Sequence, residues 1–313
     1  MIINAVIVTY NRKELLLRCL EAVLQQSQNI ENLYLIDNAS TDGTEDFLVN
    51  KGLITNDQNL SSLVIGKTSI HYKRLAQNSG GAGGFHEGMR LAHANADYVW
   101  IMDDDGYPSR TCLEKLLVLK DTYEYIMPVS LCEKDGDRLT WFIRKKNKRF
   151  TRSYLKLRNS FNAGKMRYTV PFNGLLLSRQ AIEKVGFPKK EMFIWGDDFE
   201  YQYRCIKKGI EPITNLDAIF YHPDDKATVY RVFFGAIPVN YTESKLRFTC
   251  LIRNSTYNYW NYRGKYIIFL KFILYTWLFL IEKKFAIKDY IHYLKCVADG
   301  IKGDFTRHLQ FLE

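Results

Sequence analysis

Tyr98-Val99-Trp100-Ile101-Met102-Asp103-Asp104-Asp105-Gly106 is the stretch whose reading decides the fold. Five apolar residues read as a buried strand, and three carboxylates follow without a spacer. Like charges packed at the end of a buried strand repel one another unless a cation compensates them. A hard divalent ion with oxygen ligands, Mg²⁺ or Mn²⁺, meets that need and can hold a diphosphate at the same time. A solvated acidic turn is the plainer reading of the same residues.

Working outward, further apolar runs at Ile2–Thr9, Leu33–Asp37 and Ile70–Leu75 alternate with amphipathic stretches. That alternation predicts an α/β domain with a mostly parallel sheet. In such sheets ligands sit beyond the carboxyl ends of the strands. The strand ends here are Thr9-Tyr10-Asn11-Arg12, Asp37-Asn38-Ala39-Ser40, Asn78-Ser79-Gly80-Gly81-Ala82-Gly83-Gly84 and Asp103-Asp104-Asp105, predicted to line one cleft.

Singly, these segments are ambiguous. Asp37 to Gly43 also reads as a strand-to-helix turn, with Thr41 or Asp42 as a helix cap. Gly80 and Gly81 lead a run whose amides can receive phosphate at the start of a helix, and which equally reads as a flexible turn. A dinucleotide oxidoreductase is disfavoured, because the first strand end has no glycine and the glycine run follows the third strand. A noncatalytic sugar-nucleotide binder would keep Asp37 and the glycine run without needing the acids of the second half.

Those acids lie in Phe193-Ile194-Trp195-Gly196-Asp197-Asp198-Phe199-Glu200-Tyr201. Gly196 permits a sharp turn, Asp197 can cap a helix with Glu200 reaching back, and Phe199, Tyr203 and Ile206 predict an apolar face ending near Gly209. One carboxylate suffices for the cap. Asp198 is then surplus, and a helix N-terminus favours its charged form, which makes it the candidate general base.

Taken together, the four strand ends occur in the order and rough spacing of glycosyltransferase family 2, which the chain resembles over roughly residues 1 to 225. The Trp195-Gly196-Asp197-Asp198 element, Arg204 and His222 are similar to bacterial galactofuranosyltransferases and related rhamnosyltransferases of that family. The resemblance implies a GT-A fold, a Rossmann-like nucleotide-sugar-binding build, and an inverting, metal-dependent hexosyl transfer. It implies Asp103, Asp105 and His222 as ligands of Mn²⁺ or Mg²⁺, and Asp104 in contact with the donor. Asp37 and Arg12 would grip the nucleobase, Thr9 and Asn78 would line the nucleotide site, and Trp195 would wall the sugar, although Trp195 also reads as core. The implied donor is a UDP-sugar, first UDP-galactofuranose and second dTDP-rhamnose. The implied acceptor is a lipid-linked precursor of capsule, O-antigen or cell-wall polysaccharide.

Composition fits this reading. The chain has 313 residues, 47% hydrophobic, enough to bury a full core. Six scattered cysteines without a Cys-x-x-Cys pair predict reduced thiols and no zinc. No signal-peptide pattern opens the chain, so a cytoplasmic location is expected. The net charge of +10 is uneven: 138–167 carries +11 and 245–313 carries +7, which leaves the remainder at −8. No recognised binding motif accompanies the basic charge, so nucleic acid is not an expected partner.

Three regions follow: a catalytic domain over 1–240, a basic, aromatic-laced insertion at about 138–167 within it, and a helical region over 241–313. The insertion reads as a solvated hairpin or as a lip that attracts a lipid diphosphate or an anionic surface. Tyr266 to Ile281 is apolar nearly all round, contains Lys271, and is short of the roughly 20 residues that span a bilayer. With Arg263, Lys265, Lys283 and Lys284 at its ends, it predicts a helix on the inner face of the cell membrane, or one buried between copies of the chain or in the fold.

Overall fold

β1 (Ile3–Thr9) is buried at every position, as a central parallel strand must be. It opens the chain in a computed structural model that describes residues 1–55, 62–161, 163–167, 170–224 and 229–312. The order continues α1 (Lys13–Leu24), β2 (Asn32–Asp37), α2 (Thr44–Asn50), β3 (Leu63–Ile65), β4 (Thr68–Arg74), α3 (Gly80–Ala92), β5 (Tyr98–Asp103) and β6 (Tyr107–Pro108). There follow α4 (Cys112–Leu117), β7 (Tyr125–Cys132), β8 (Arg138–Arg144), β9 (Phe150–Ser153), α5 (Tyr154–Arg158), β10 (Lys165–Met166), β11 (Asn173–Ser178) and α6 (Arg179–Val185). The last elements are α7 (Asp197–Lys207), β12 (Pro212–His222), β13 (Val229–Val232), β14 (Ile237–Asn240), α8 (Lys245–Asn258), α9 (Tyr266–Trp277) and α10 (Ile287–Lys302).

β4, β2, β1 and β5 lie side by side and parallel. Their register sets Thr9 opposite Asp37, Asp37 opposite Arg74, and Val8 opposite Asp103. The polar strand ends of the sequence therefore share one edge of the sheet. Antiparallel neighbours enter with the second half: β11 joins β5 to β7, and β12 then runs parallel to β7. The basic segment forms the antiparallel β8–β9 hairpin followed by α5. Its Leu139, Ile143 and Leu157 pack into a small cluster with Val129 and Leu216. The segment is thus anchored, although its residue 162 lies outside the described residues.

Packing explains two local choices. In α1, Leu16, Cys19, Leu20 and Val23 recur at helical spacing and are buried on the main core. In α3 the glycines are structural: a Cβ on Gly84 would meet Val8 at 2.4 Å, and one on Gly88 would meet Val6 at 2.3 Å. Of the two readings of the run over 80–84, a helix start and a flexible turn, the structure has the helix start. Close approach to β1 requires glycine there and outweighs its cost of roughly 1 kcal/mol per helical position.

The chain divides into two compact units, 1–190 with 204–225, and 191–203 with 226–313. The first holds the large sheet. The second packs α8, α9, α10 and the β13–β14 ribbon around Tyr241, Phe248, Ile252, Tyr275, Phe279 and Tyr293. Compact packing thus groups 191–203 with the C-terminal helices, where the sequence suggests a boundary near 240. Among the described residues no helix is long and apolar enough to cross a membrane.

Candidate active site

In the first unit, β5 delivers the acidic triplet to the polar edge of the sheet. Asp104 is buried, with 3% of its surface exposed, and accepts a hydrogen bond from Thr9 Oγ1 at 2.7 Å. Arg12 Nη1 donates to Asp104 Oδ1 at 3.1 Å and to Asp105 Oδ2 at 2.8 Å. Burial pushes Asp104 up to about 6, against the pull of Arg12 and Thr9. Asp105 moves the other way: burial opposes its charge, but His222 and Arg12 outweigh it and hold the carboxyl below the usual range. Arg12, implied by the resemblance as a nucleobase contact, is here also the counter-ion of Asp104 and Asp105.

β12 brings His222 to the same place, with Nε2 at 3.4 Å from Asp105 Oδ1. His222 Nδ1 lies 2.8 Å from the Pro223 carbonyl, which can only accept, so Nδ1 carries a proton and Nε2 is the ring atom turned toward Asp105. Asp105 Oδ1 is buried and has no hydrogen-bond partner. A carboxylate oxygen and an imidazole nitrogen brought this close are both ligand types for a hard divalent cation, and an Nδ1–H anchored on a carbonyl orients the ring as a metal ligand requires. Trp141 of the basic hairpin packs its ring 5.0 Å from that of His222, a contact the sequence did not suggest. As they stand, no three or more His, Cys, Asp or Glu among the described residues are grouped to hold a metal ion. The pair Asp105 and His222 is brought together; Asp103 ends β5 beside it in sequence.

The nucleotide-side candidates are knitted to one another. Asp37 is fully buried, accepting from Ser40 N at 2.8 Å and from Tyr72 O–H at 2.7 Å. Arg74 Nη2 donates to the Ser40 carbonyl at 2.8 Å, on the same loop. Tyr72 and Arg74 were missed, although the period-two pattern of a strand paired with β2 places them beside Asp37. Asn11, with φ at 54°, accepts from Thr41 N at 2.7 Å and so ties the first strand end to the second. Asn78 Oδ1 accepts from Gly80 N at 2.8 Å, and a Cβ on Gly81 would meet nothing within 4 Å. The chemistry of this edge is a set of aimed polar groups around an opening at Gly81.

In the second unit, the Trp-Gly-Asp-Asp element begins α7. The Gly196 carbonyl accepts the first helical bond, from Glu200 N at 2.9 Å, so Gly196 is the N-cap and Asp197 the first helical residue. The expected cap is corrected accordingly. Gly196 has φ of 92°, a conformation that glycine adopts without the cost a side chain brings. The expected apolar face is also corrected: Phe199 and Ile206 are exposed, whereas Tyr201, Cys205 and Glu200 are fully buried. Glu200 accepts from Tyr262 O–H at 2.8 Å, which compensates its burial.

Asp197 is buried and Asp198 half-buried, and Asp198 Oδ1 accepts from Phe199 N at 2.7 Å. Burial raises both carboxyls, and the neighbouring charge of Asp198 adds to the rise at Asp197. Desolvation therefore outweighs the helix terminus expected to favour the charged form of Asp198. The two carboxyls titrate as a pair, and their raised values leave the pair holding a proton near neutral pH. Trp195 is 43% exposed, with the Arg247 guanidinium 5.9 Å from its ring. It is a presented side chain, not core.

A parallel βαβ core with acids and aimed polar groups at its strand ends is the GT-A build of nucleotide-sugar transferases. Solved structures agree in fold: GalNAc-T7, crystallised with UDP, GalNAc and Mn²⁺, aligns at a TM-score of 0.56 with 15% identity, over 83% of this chain and 48% of that one. The S. aureus TarS fragment 1–349 aligns at 0.52 with 14% identity, over 84% of this chain and 66% of that one. Residues 5–186 match the model of glycosyl transferase family 2, and the chain belongs to that family. Galactofuranosyltransferase GlfT1 of Mycolicibacterium smegmatis is 28% identical over 90% of this chain and 91% of its own length. Abequosyltransferase RfbV of Salmonella typhimurium is 31% identical over 43% of this chain and 36% of its own. The protein is a glycosyltransferase.

Proposed function

We propose that the protein is an inverting, divalent-metal-dependent galactofuranosyltransferase that moves galactofuranose from UDP-galactofuranose onto a hydroxyl of a lipid-linked cell-surface glycan precursor. The metal reading rests on one observation, the partnerless Asp105 Oδ1 facing His222 Nε2 at 3.4 Å. The sugar reading draws its support from the match to a galactofuranosyltransferase along nearly the whole chain.

Asp103, Asp105 and His222 would hold Mn²⁺ or Mg²⁺. When bound, the ion supplies positive charge to a departing diphosphate. Asp37, Arg12, Thr9, Asn11, Asn78, Gly80 and Gly81 bind and orient the nucleotide, with Asp104 toward the donor and Trp195 toward a sugar ring. Asp198 accepts the proton of the acceptor hydroxyl as its oxygen forms a bond to the anomeric carbon. The bond from that carbon to the diphosphate oxygen breaks in the same step, and UDP leaves with the bonding pair. A single displacement inverts the anomeric centre.

Contact with a lipid surface belongs to the same proposal. Tyr266, Phe269, Leu270 and Ile273 recur at helical spacing on α9 and are exposed, and in α9 only Tyr275 is buried. A helix in the core of the fold would bury that stripe, so its exposure supports the surface reading of α9. Arg263, Lys265, Lys283, Lys284 and Lys288 surround the stripe in sequence, the composition that suits an anionic membrane face. Co-sedimentation with vesicles containing phosphatidylserine, lost in Phe269→Ser/Leu270→Ser, is the expected result; equal sedimentation of wild type and variant would sink this part.

The main test is thermal shift with UDP and dTDP, each with and without Mn²⁺, because a ligand of the folded state raises apparent stability. Stabilisation by UDP that needs Mn²⁺ is expected. A metal-independent UDP response would remove the metal reading, and a dTDP preference would move the donor to a dTDP-sugar such as dTDP-rhamnose.

A further inference from the structure

The segment that leads into α7 is held in an unusual backbone. Phe193 and Trp195 have φ of 69° and 61°, and Gly196 follows at 92°. For each of the two non-glycine residues the left-handed conformation costs roughly 1–2 kcal/mol, and such strain persists only where surrounding structure imposes it. Here the imposing element is α8, in the same unit.

Asn254 Nδ2 lies 2.9, 2.9 and 2.8 Å from the carbonyl oxygens of Met192, Ile194 and Trp195. Arg253 Nη2 donates to the Met192 carbonyl at 3.0 Å, and Asn258 Nδ2 to the Gly196 carbonyl at 2.8 Å. Four carbonyls of one five-residue segment are thus turned onto three side chains of one helix. Arg253 and Asn254 are fully buried and Asn258 nearly so. Arg253 is fixed in turn by the Phe305 carbonyl at 3.2 Å and His308 Nδ1 at 2.8 Å. The fit is close at Gly196, where a Cβ would meet Asn254 Cβ at 3.3 Å.

Turning the carbonyls inward sends the side chains outward. The left-handed residues leave Trp195 exposed and start α7 so that Asp197 and Asp198 occupy its first turn. We propose that Asn254, supported by Arg253 and Asn258, is a positioning residue for the transfer reaction: it sets the Trp-Gly-Asp-Asp segment in the conformation that presents Trp195 and Asp198. This rests on the reading of Asp198 as general base. It makes α8, outside the residues matched by the family model, part of the machinery of transfer.

The test compares Asn254→Ala, the milder Asn258→Ala and Asp198→Asn in the full chain. For Asn254→Ala, kcat falls about 100-fold, as misplacement of a catalytic group by about 1 Å does. The UDP/Mn²⁺ thermal shift stays within about twofold of wild type, since the residues read as holding the nucleotide and metal belong to the other unit. Hydrogen exchange accelerates in the peptide covering 192–199. Asn258→Ala, which loses one bond, shows the same pattern with about a 10-fold fall, and serves if the first variant does not fold.

Faster exchange at 192–199 with unchanged kcat, or lost activity with unchanged exchange there, would overturn the positioning role. Full activity in Asp198→Asn would instead remove the base reading, whatever the exchange data show.

Discussion

Two clusters of adjacent carboxylates, Asp103-Asp104-Asp105 after β5 and Asp197-Asp198 at the start of α7, look alike in sequence and are stabilised in opposite ways. The first is compensated by positive charge and by donors: Arg12 bridges two of its members, Thr9 donates to a third oxygen, and His222 faces Asp105. The second is compensated by protons, since burial raises both carboxyls and the charge of Asp198 adds to the rise at Asp197. A cluster held by cations is suited to exchanging one cation for another, and so to metal and diphosphate. A cluster that holds a proton near neutral pH is suited to taking one from an acceptor hydroxyl.

The largest effect that would break this contrast is at Asp198. Asp198→Asn removes the basic oxygen while keeping the shape, and kcat is expected to fall about 1,000-fold, within the range that general bases contribute. The sign of the pH dependence follows from the raised carboxyl. The base works deprotonated, so kcat falls as pH drops through an apparent value near 6, well above an ordinary aspartate. A flat profile down to pH 5 in the wild type would separate Asp198 from proton transfer.

Next in size is Asp105. Asp105→Asn loses the Arg12 ion pair at 2.8 Å and the oxygen facing His222. The Mn²⁺-dependent part of the UDP thermal shift should vanish, and activity should fall about 100-fold at saturating Mn²⁺, of the order that charge stabilisation of a leaving group supplies. Retention of a full Mn²⁺ response would move the metal away from this pair. The same substitution at Asp198 should leave the Mn²⁺ response intact, which sharpens the division of labour.

Much of the first cluster was legible because buried parallel strands read as unbroken apolar runs that end abruptly in polar residues. β1, β2, β4 and β5 therefore stood out, and their ends named Thr9, Asp37 and Asp103 to Asp105. The second cluster was legible as a motif but not as a structure. Phe199 and Ile206 imitate an apolar face, while the side that α7 buries contains Asp197 and Glu200, and polar burial leaves no trace in a hydrophobic pattern. Asn254 and Arg253 escaped notice for the same reason: a polar side chain gives no apolar signal, yet both are fully buried and bonded to the carbonyls of a distant segment. The glycines of α3 were readable as a helix start or as a turn, and composition could not choose between them, because contact with Val6 and Val8, which demands small residues in a helix, is not visible in the sequence.

The smallest effect concerns stability and separates the two clusters by sign. Asp197 has a folded-state value raised above that of the unfolded chain, so its charged form is disfavoured in the fold. The stability tied to its protonated form is complete below the ordinary aspartate value near 4 and is lost as pH rises toward about 8. Asp197→Asn removes that loss, keeps an acceptor oxygen, and should raise Tm at pH 8 by a few degrees, corresponding to about 1–2 kcal/mol. The gain should shrink at pH 5, where the wild-type carboxyl already holds its proton. Asp105→Asn should instead lower Tm at pH 8, because it strips Arg12 of a partner beside the buried Asp104. A Tm that falls in both variants would mean that the Asp197 carboxylate, too, is held by a positive charge, and the contrast between a cation-compensated and a proton-compensated cluster would fail.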